Sequence, residues 1–202
     1  NTTGSYNTAV GHNALTANTT GQQNTAFGRL ALLQNTTGDF NLALGYNSLE
    51  NNTTADYNTA VGYSALQTNT IGAYNVAVGG TTLFSNTEGG YNTAVGYQAL
   101  YTNTTANHNS AFGRYSLKFN TTGANNAGFG QGTLTTNTTA SNNTAVGYHA
   151  MEANTTGDNN VAVGRDALVA NTTGSANVAL GFNALVANTT ADDNVSIGSS
   201  SM

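Results

Sequence analysis

Apolar residues in this chain keep a single phase from one end to the other. In the stretch Asn86-Thr87-Glu88-Gly89-Gly90-Tyr91-Asn92-Thr93-Ala94-Val95-Gly96-Tyr97-Gln98-Ala99-Leu100-Tyr101-Thr102, a polar turn leads into Ala-Val, a glycine and then Ala-Leu. The same order returns every seventeen residues, with the leading asparagine at Asn1, Asn18, Asn35 and onward to Asn188. Eleven full repeats and a twelfth, two residues short, account for all 202 residues without insertion. Residues 1–202 therefore read as one repeat array, because a fixed period below about fifty residues marks stacked units.

Numbering each repeat from its first asparagine, position 1 is Asn and position 2 is Thr in all twelve copies. Position 3 is Thr except at Ile71 and Glu88, and position 4 is Gly or Ala. Asn and Gly tolerate left-handed backbone, and Asn and Thr side chains bond nearby main chain, so Asn-Thr-Thr-Gly predicts a turn. Position 7 is always Asn (Asn7, Asn24, Asn41, Asn58, Asn75, Asn92 and their later copies). Position 11 is always Gly (Gly11, Gly28, Gly45, Gly62, Gly79, Gly96 and onward). Between these corners lies a three-residue strand with Ala at position 9, except Gly128 and Ser196, and Val, Phe, Leu or Ile at position 10. A second short segment carries a small residue at position 14 and Leu at position 15, replaced only by Met151 and Met202.

Helix is excluded by punctuation, since Gly and Asn recur too often to leave three uninterrupted turns. Short strands bounded by Gly and Asn fit, and the expected fold is all-β: a parallel β-solenoid, or left-handed β-roll, of twelve seventeen-residue coils. Each position then stacks on its copy one coil away, at about 4.8 Å, giving a rod of roughly 55 Å. The Asn1-type and Asn7-type residues are expected to form two ladders of side-chain amides. Along the strand, positions 8 and 10 share one face and position 9 takes the other. A narrow coil can bury the Ala9-type residues and offer the Val10-type residues to a neighbouring chain, or do the reverse. Positions 10 and 15 are taken here as the core. So thin a core favours company, and a homo-oligomer is expected.

Composition narrows the function classes. Charged residues make up 6% of the chain, the net charge is −5, and the only cations are Arg29, Arg114, Lys118 and Arg165. Nucleic-acid binding needs a basic footprint and a polybasic membrane contact needs clustered cations, and neither is present. No apolar run approaches a transmembrane span, so membrane insertion is not expected. Without Cys there is neither disulfide nor thiolate-metal chemistry. The chain begins in phase with the repeat and without an initiator Met, which reads as a mature or excised segment.

Asn92-Thr93-Ala94-Val95-Gly96 followed by Ala99-Leu100, with variants such as Asn194-Val195-Ser196-Ile197-Gly198, resembles the head repeats of trimeric autotransporter adhesins. Similar repeats occur in tail fibres of phages and other viruses. The resemblance implies a left-handed β-roll, three chains to a fibre, and a surface that attaches to hosts or other cells. The repeat here is longer, with its extra residues in the Asn-Thr-Thr-Gly turn.

No catalytic, metal or cofactor site is expected. His12, His108 and His149 occupy different columns, whereas zinc needs three or four converging ligands. Asp39, Glu50, Asp56, Glu88, Glu152, Asp158, Asp166, Asp192 and Asp193 are scattered and read as solvated acids. A regular rod has no cleft in which a carboxylate pair could work. Tyr6, Tyr57, Tyr74 and Tyr91 at position 6, with Tyr46, Tyr63, Tyr97 and Tyr148 at position 12, are candidate surface contacts for glycans or a partner. They serve equally to stabilise the stack by packing on one another. Ten repeats carry Asn-Thr-Thr sequons, at Asn1, Asn18, Asn35, Asn52, Asn103, Asn120, Asn137, Asn154, Asn171 and Asn188. These are candidate glycosylation sites or simply turn residues. The expected function is an extracellular, cell-surface or virion fibre segment, structural and adhesive, with itself and cell-surface glycans as partners. A self-assembling filament without a receptor is the alternative, and an ice-binding solenoid built on the Thr column is a further one.

Overall fold

A computed structural model describes all residues from Asn1 to Met202. Twelve three-residue strands, from β1 (Thr8–Val10) to β12 (Val195–Ile197), make one parallel sheet in strict sequence order. Every pairing joins residues seventeen apart, as in Thr93↔Ser110, Ala94↔Ala111 and Val95↔Phe112. The fold is an all-β parallel solenoid with one strand and one seventeen-residue coil per repeat.

The strands carry little of the cohesion. Of 130 backbone hydrogen bonds, 22 lie within strands, and the coil-to-coil bonding continues around the rest of each turn. In the Asn-Thr-Thr-Gly turn, the N–H groups of Thr2, Thr3 and Gly4 all donate to the Thr19 carbonyl, at 3.1, 2.9 and 3.1 Å. Three successive N–H groups converging on one oxygen form a nest, and the stack fills it with the next coil's main chain. The Thr2 hydroxyl donates to the same oxygen at 2.9 Å. Thr at position 2 is thus tied inward, whereas position 3 makes no such bond and accepts Ile71 and Glu88.

The core assignment needs one correction. Position 9 is inside: Ala26, Ala43, Ala60, Ala77 and Ala94 are completely buried. Position 10 lies outside, with Val10, Phe27, Leu44, Phe129 and Ile197 exposed. The interior is filled by Ala at position 9 and by Leu32, Leu49, Leu66 and their copies at position 15, with small residues at position 14. A three-residue strand closed into so narrow a coil has room for a methyl group on its inner face but not for an isopropyl group.

Corners are made by backbone that L-residues seldom adopt. The glycines of position 11 have φ between +130° and +141°. A Cβ on Gly96 would stand 2.6 Å from the Gly113 carbonyl oxygen, so the site excludes side chains by conformation and by space. Positions 6, 13 and 15 are left-handed as well, including Tyr57 (φ 57°), Thr81 (φ 50°) and Leu100 (φ 51°). Each such residue costs roughly 1–2 kcal/mol relative to right-handed backbone. The hydrogen bonds that follow offset this: the Leu100 N–H reaches the Ser116 carbonyl one coil on, at 3.0 Å.

Candidate functional site

The Asn1-type column is an unbroken ladder inside the rod. Each amide Nδ2 donates to the Oδ1 of the preceding coil's asparagine and to the position-4 carbonyl of its own coil. For Asn86 these are Asn69 Oδ1 at 2.8 Å and the Gly89 oxygen at 2.9 Å. The Asn7-type column works differently. Its Oδ1 accepts the backbone N–H of the next asparagine, as Asn75 does from Asn92 at 3.0 Å. Its Nδ2 crosses to the next coil's position-4 carbonyl, as Asn75 does to the Gly89 oxygen at 2.8 Å. The Gly89 carbonyl therefore holds one amide from each column.

In the folded coil, the sequon asparagines serve as ladder residues of the turn. Asn18, Asn35, Asn52, Asn103, Asn120, Asn137, Asn154 and Asn171 are buried. Both hydrogens of each Nδ2 are engaged, so the folded coil has no room for a sugar on that nitrogen. Asn1 and Asn188 belong to the same ladder at its first and last coils.

The acids of position 5 also have structural partners. Asp39, Asp56, Asp158 and Asp192 each accept, through Oδ1, the backbone N–H of the preceding coil's position 5, at 2.6–2.7 Å. They cap main chain rather than standing free in solvent. His149 pairs with Glu152 at 3.2 Å, and His108 ends an aromatic stack. No three His, Asp or Glu side chains converge, and the surface has no cavity.

The tyrosine columns are on the outside. At position 6, Phe40, Tyr57, Tyr74, Tyr91 and His108 stack face to face, with centroids 4.7–5.1 Å apart and planes within 8°. Parallel rings at the coil spacing cover one another's faces and leave edges and hydroxyls to solvent. Tyr6 stands apart from this stack, beyond Gln23, and is 83% exposed. At position 12, Tyr46 and Tyr63 stack at 5.5 Å, while Tyr97 and Tyr148 pack against Tyr115 and His149 of position 13. The Thr column at position 3 is exposed, but Ile71 and Glu88 interrupt it, and its neighbour at position 2 has spent its hydroxyls on main chain. Only one of the two Thr columns therefore offers free hydroxyls for ordering water.

Two further surfaces run the length of the rod, and only the second was missed in the sequence. One is the outer strand face, where position 10 is apolar in all twelve strands and position 8 is divided between Thr or Ser and apolar residues. The other is a cationic edge, because Arg29, Arg114 and Arg165 all fall at position 12. Writing the cations in register with the repeat exposes that second surface from sequence alone. No protein-family model, curated protein or solved structure matches this chain.

Proposed function

We propose that this chain is a non-catalytic segment of an extracellular or virion-surface fibre, structural and adhesive, in which copies pack side by side through their strand faces. The observation that carries the reading is the outer face of the sheet. Val10, Phe27, Leu44, Phe112, Phe129, Val146, Leu180 and Ile197 lie exposed along one straight column. Phe112 and Phe129 also stack on each other at 5.0 Å. The strip is about 55 Å long and about 10 Å wide before the flanking rings are included. Such a strip, about 550 Å², matches the largest apolar patch that a single soluble chain ordinarily leaves open, about 300–600 Å², and patches of that size are often interaction sites. The likeness of Asn92-Thr93-Ala94-Val95-Gly96 to adhesin-head and tail-fibre repeats supports three chains per fibre.

Light scattering joined to negative-stain imaging tests this. A discrete trimeric rod of roughly 55 Å is the expected result, and replacing Val78 and Val95 by Lys should dissociate it. Filaments of indefinite length would favour the receptor-free polymer instead. A monomer at high concentration would remove the side-by-side packing altogether.

A further inference from the structure

The rod is acidic overall, yet its charges are sorted. Six of the nine acids, Asp39, Asp56, Glu88, Asp158, Asp192 and Asp193, fall at positions 3, 5 and 6, on one side of the strand. All three arginines fall at position 12, on the other side, in a column that holds no carboxylate. Lys118, the only lysine, lies four residues beyond Arg114.

Each cation rests against an aromatic ring. Arg29 lies 5.2 Å from the Tyr46 ring centre and donates to the Tyr46 hydroxyl at 2.8 Å. Arg114 lies 4.2 Å from the Tyr115 ring, with Lys118 4.6 Å from the same ring. Arg165 sits between Tyr148 and Phe182, at 5.9 and 5.7 Å. Arg165 alone has a carboxylate partner, Asp166 at 2.9 Å, and its side chain remains 64% exposed. Contact with a ring restrains each guanidinium, and the N–H groups not bonded to tyrosine or Asp166 remain for contact with a carboxylate or sulfate. Each holds five donors, and the tyrosine bonds occupy one on Arg29 and one on Arg114.

We propose that this position-12 edge binds a linear acidic polysaccharide lying along the rod axis, a reading that rests on the adhesive function above. With no cavity on the surface, recognition falls to an extended ligand touching several coils. Arg29 and Arg114 are five coils apart, about 24 Å, and Arg114 and Arg165 three coils, about 14 Å. That spacing is too sparse for duplex nucleic acid, which carries a charge about every 1.7 Å. An extended acidic polysaccharide would meet these cations once every several sugars, with its remaining acidic groups left in solvent. Sugar faces have a place between the cations. Tyr63 is 60% exposed, and Gly80 follows it in the column, so its ring has no aromatic neighbour on that side.

The test is binding of the intact protein to immobilised polygalacturonate, heparin, neutral dextran and polyglutamate. Binding to at least one acidic polysaccharide is expected, weakening with salt, with little to dextran or polyglutamate. The two acidic polymers separate carboxylate from sulfate recognition. The R29Q/R114Q/R165Q variant should lose at least tenfold in affinity with unchanged circular dichroism, and Glu88→Gln, across the strand, should lose none. Binding to neither acidic polymer, equal binding to polyglutamate, or an unaffected triple variant would overturn the proposal. Binding to dextran or to cells without binding to either acidic polymer would leave the adhesive function standing and remove this ligand.

Discussion

Gly128 lies against the Ser116 hydroxyl: a methyl group built on its Cα would stand 2.6 Å from Ser116 Oγ and 2.9 Å from Thr133 Oγ1. Eleven of twelve coils carry a side chain at this inner position, and the one that does not sits where two successive coils place hydroxyl residues at position 14. Ser116 Oγ and Thr133 Oγ1 are hydrogen-bonded at 2.8 Å and fill the volume that alanine occupies elsewhere. Gly128→Ala should therefore destabilise the rod by about 1–3 kcal/mol through overpacking. Adding Ser116→Ala and Thr133→Ala should recover most of the loss. Chemical denaturation of both variants checks this, and a neutral single substitution would mean the coil has slack there.

The buried amide ladder predicts a large effect from a small change. Asn86→Ala removes two donations and leaves the Asn103 amide, which now bonds Asn86 Oδ1 at 2.8 Å, without that acceptor. The expected cost is about 2–4 kcal/mol. Asn86→Asp should cost at least as much at neutral pH, because it loses both donations and buries a charge. Burial raises that carboxyl's folded pKa above its unfolded value of about 3.9. The deficit of the variant should accordingly shrink as pH falls and its aspartate protonates, and denaturation midpoints across pH would show it.

At Gly96 both conformation and space exclude a side chain. Gly96→Val places a β-branched residue at φ +133°, with its Cβ 2.6 Å from the Gly113 oxygen. A loss of more than about 3 kcal/mol is expected, with amide exchange accelerating first in the coils on either side. Unchanged thermal stability would refute the assignment of this position as a corner.

Thr81 offers the opposite experiment. It is β-branched at φ 50°, whereas three other coils place asparagine at this position, as Asn13, Asn47 and Asn183, at φ 52–59°. Its hydroxyl bonds only the neighbouring Gly80 carbonyl, at 2.8 Å. Thr81→Asn should raise stability by roughly 0.5–1 kcal/mol, since Asn tolerates left-handed backbone. A fall in melting temperature would show that the hydroxyl outweighs the backbone strain.

The period, the strand at positions 8–10 and the glycine corner were legible because each repeats twelve times and backbone chemistry leaves few choices. The direction of the strand was not. Alternation separates Ala94 from Val95 but does not say which faces inward, and hydrophobicity favours the valine, which is the one outside. The better signal was size: position 9 is held to Ala, Gly or Ser, while position 10 admits Phe. The left-handed residues were hidden for another reason. Leu100, Tyr57 and Thr81 contradict local preference, and only their ladder bonds hold them there. The sequons illustrate the same limit, since a surface tripeptide and a buried ladder rung share the same three letters.

Because every coil hands its neighbour the bonds it receives from the one before, the stack contains no information about where it should stop. Excising the residues from 86 to 102 would bring two compatible faces together and shorten the rod by one strand spacing, about 4.8 Å. What distinguishes one coil from another is written mostly on the outside, in the rings and guanidinium groups of positions 6, 12 and 13. The molecule is in this sense a ruler: its interior supplies equal graduations, and its surface residues are the marks that can be moved from one graduation to another without altering the scale.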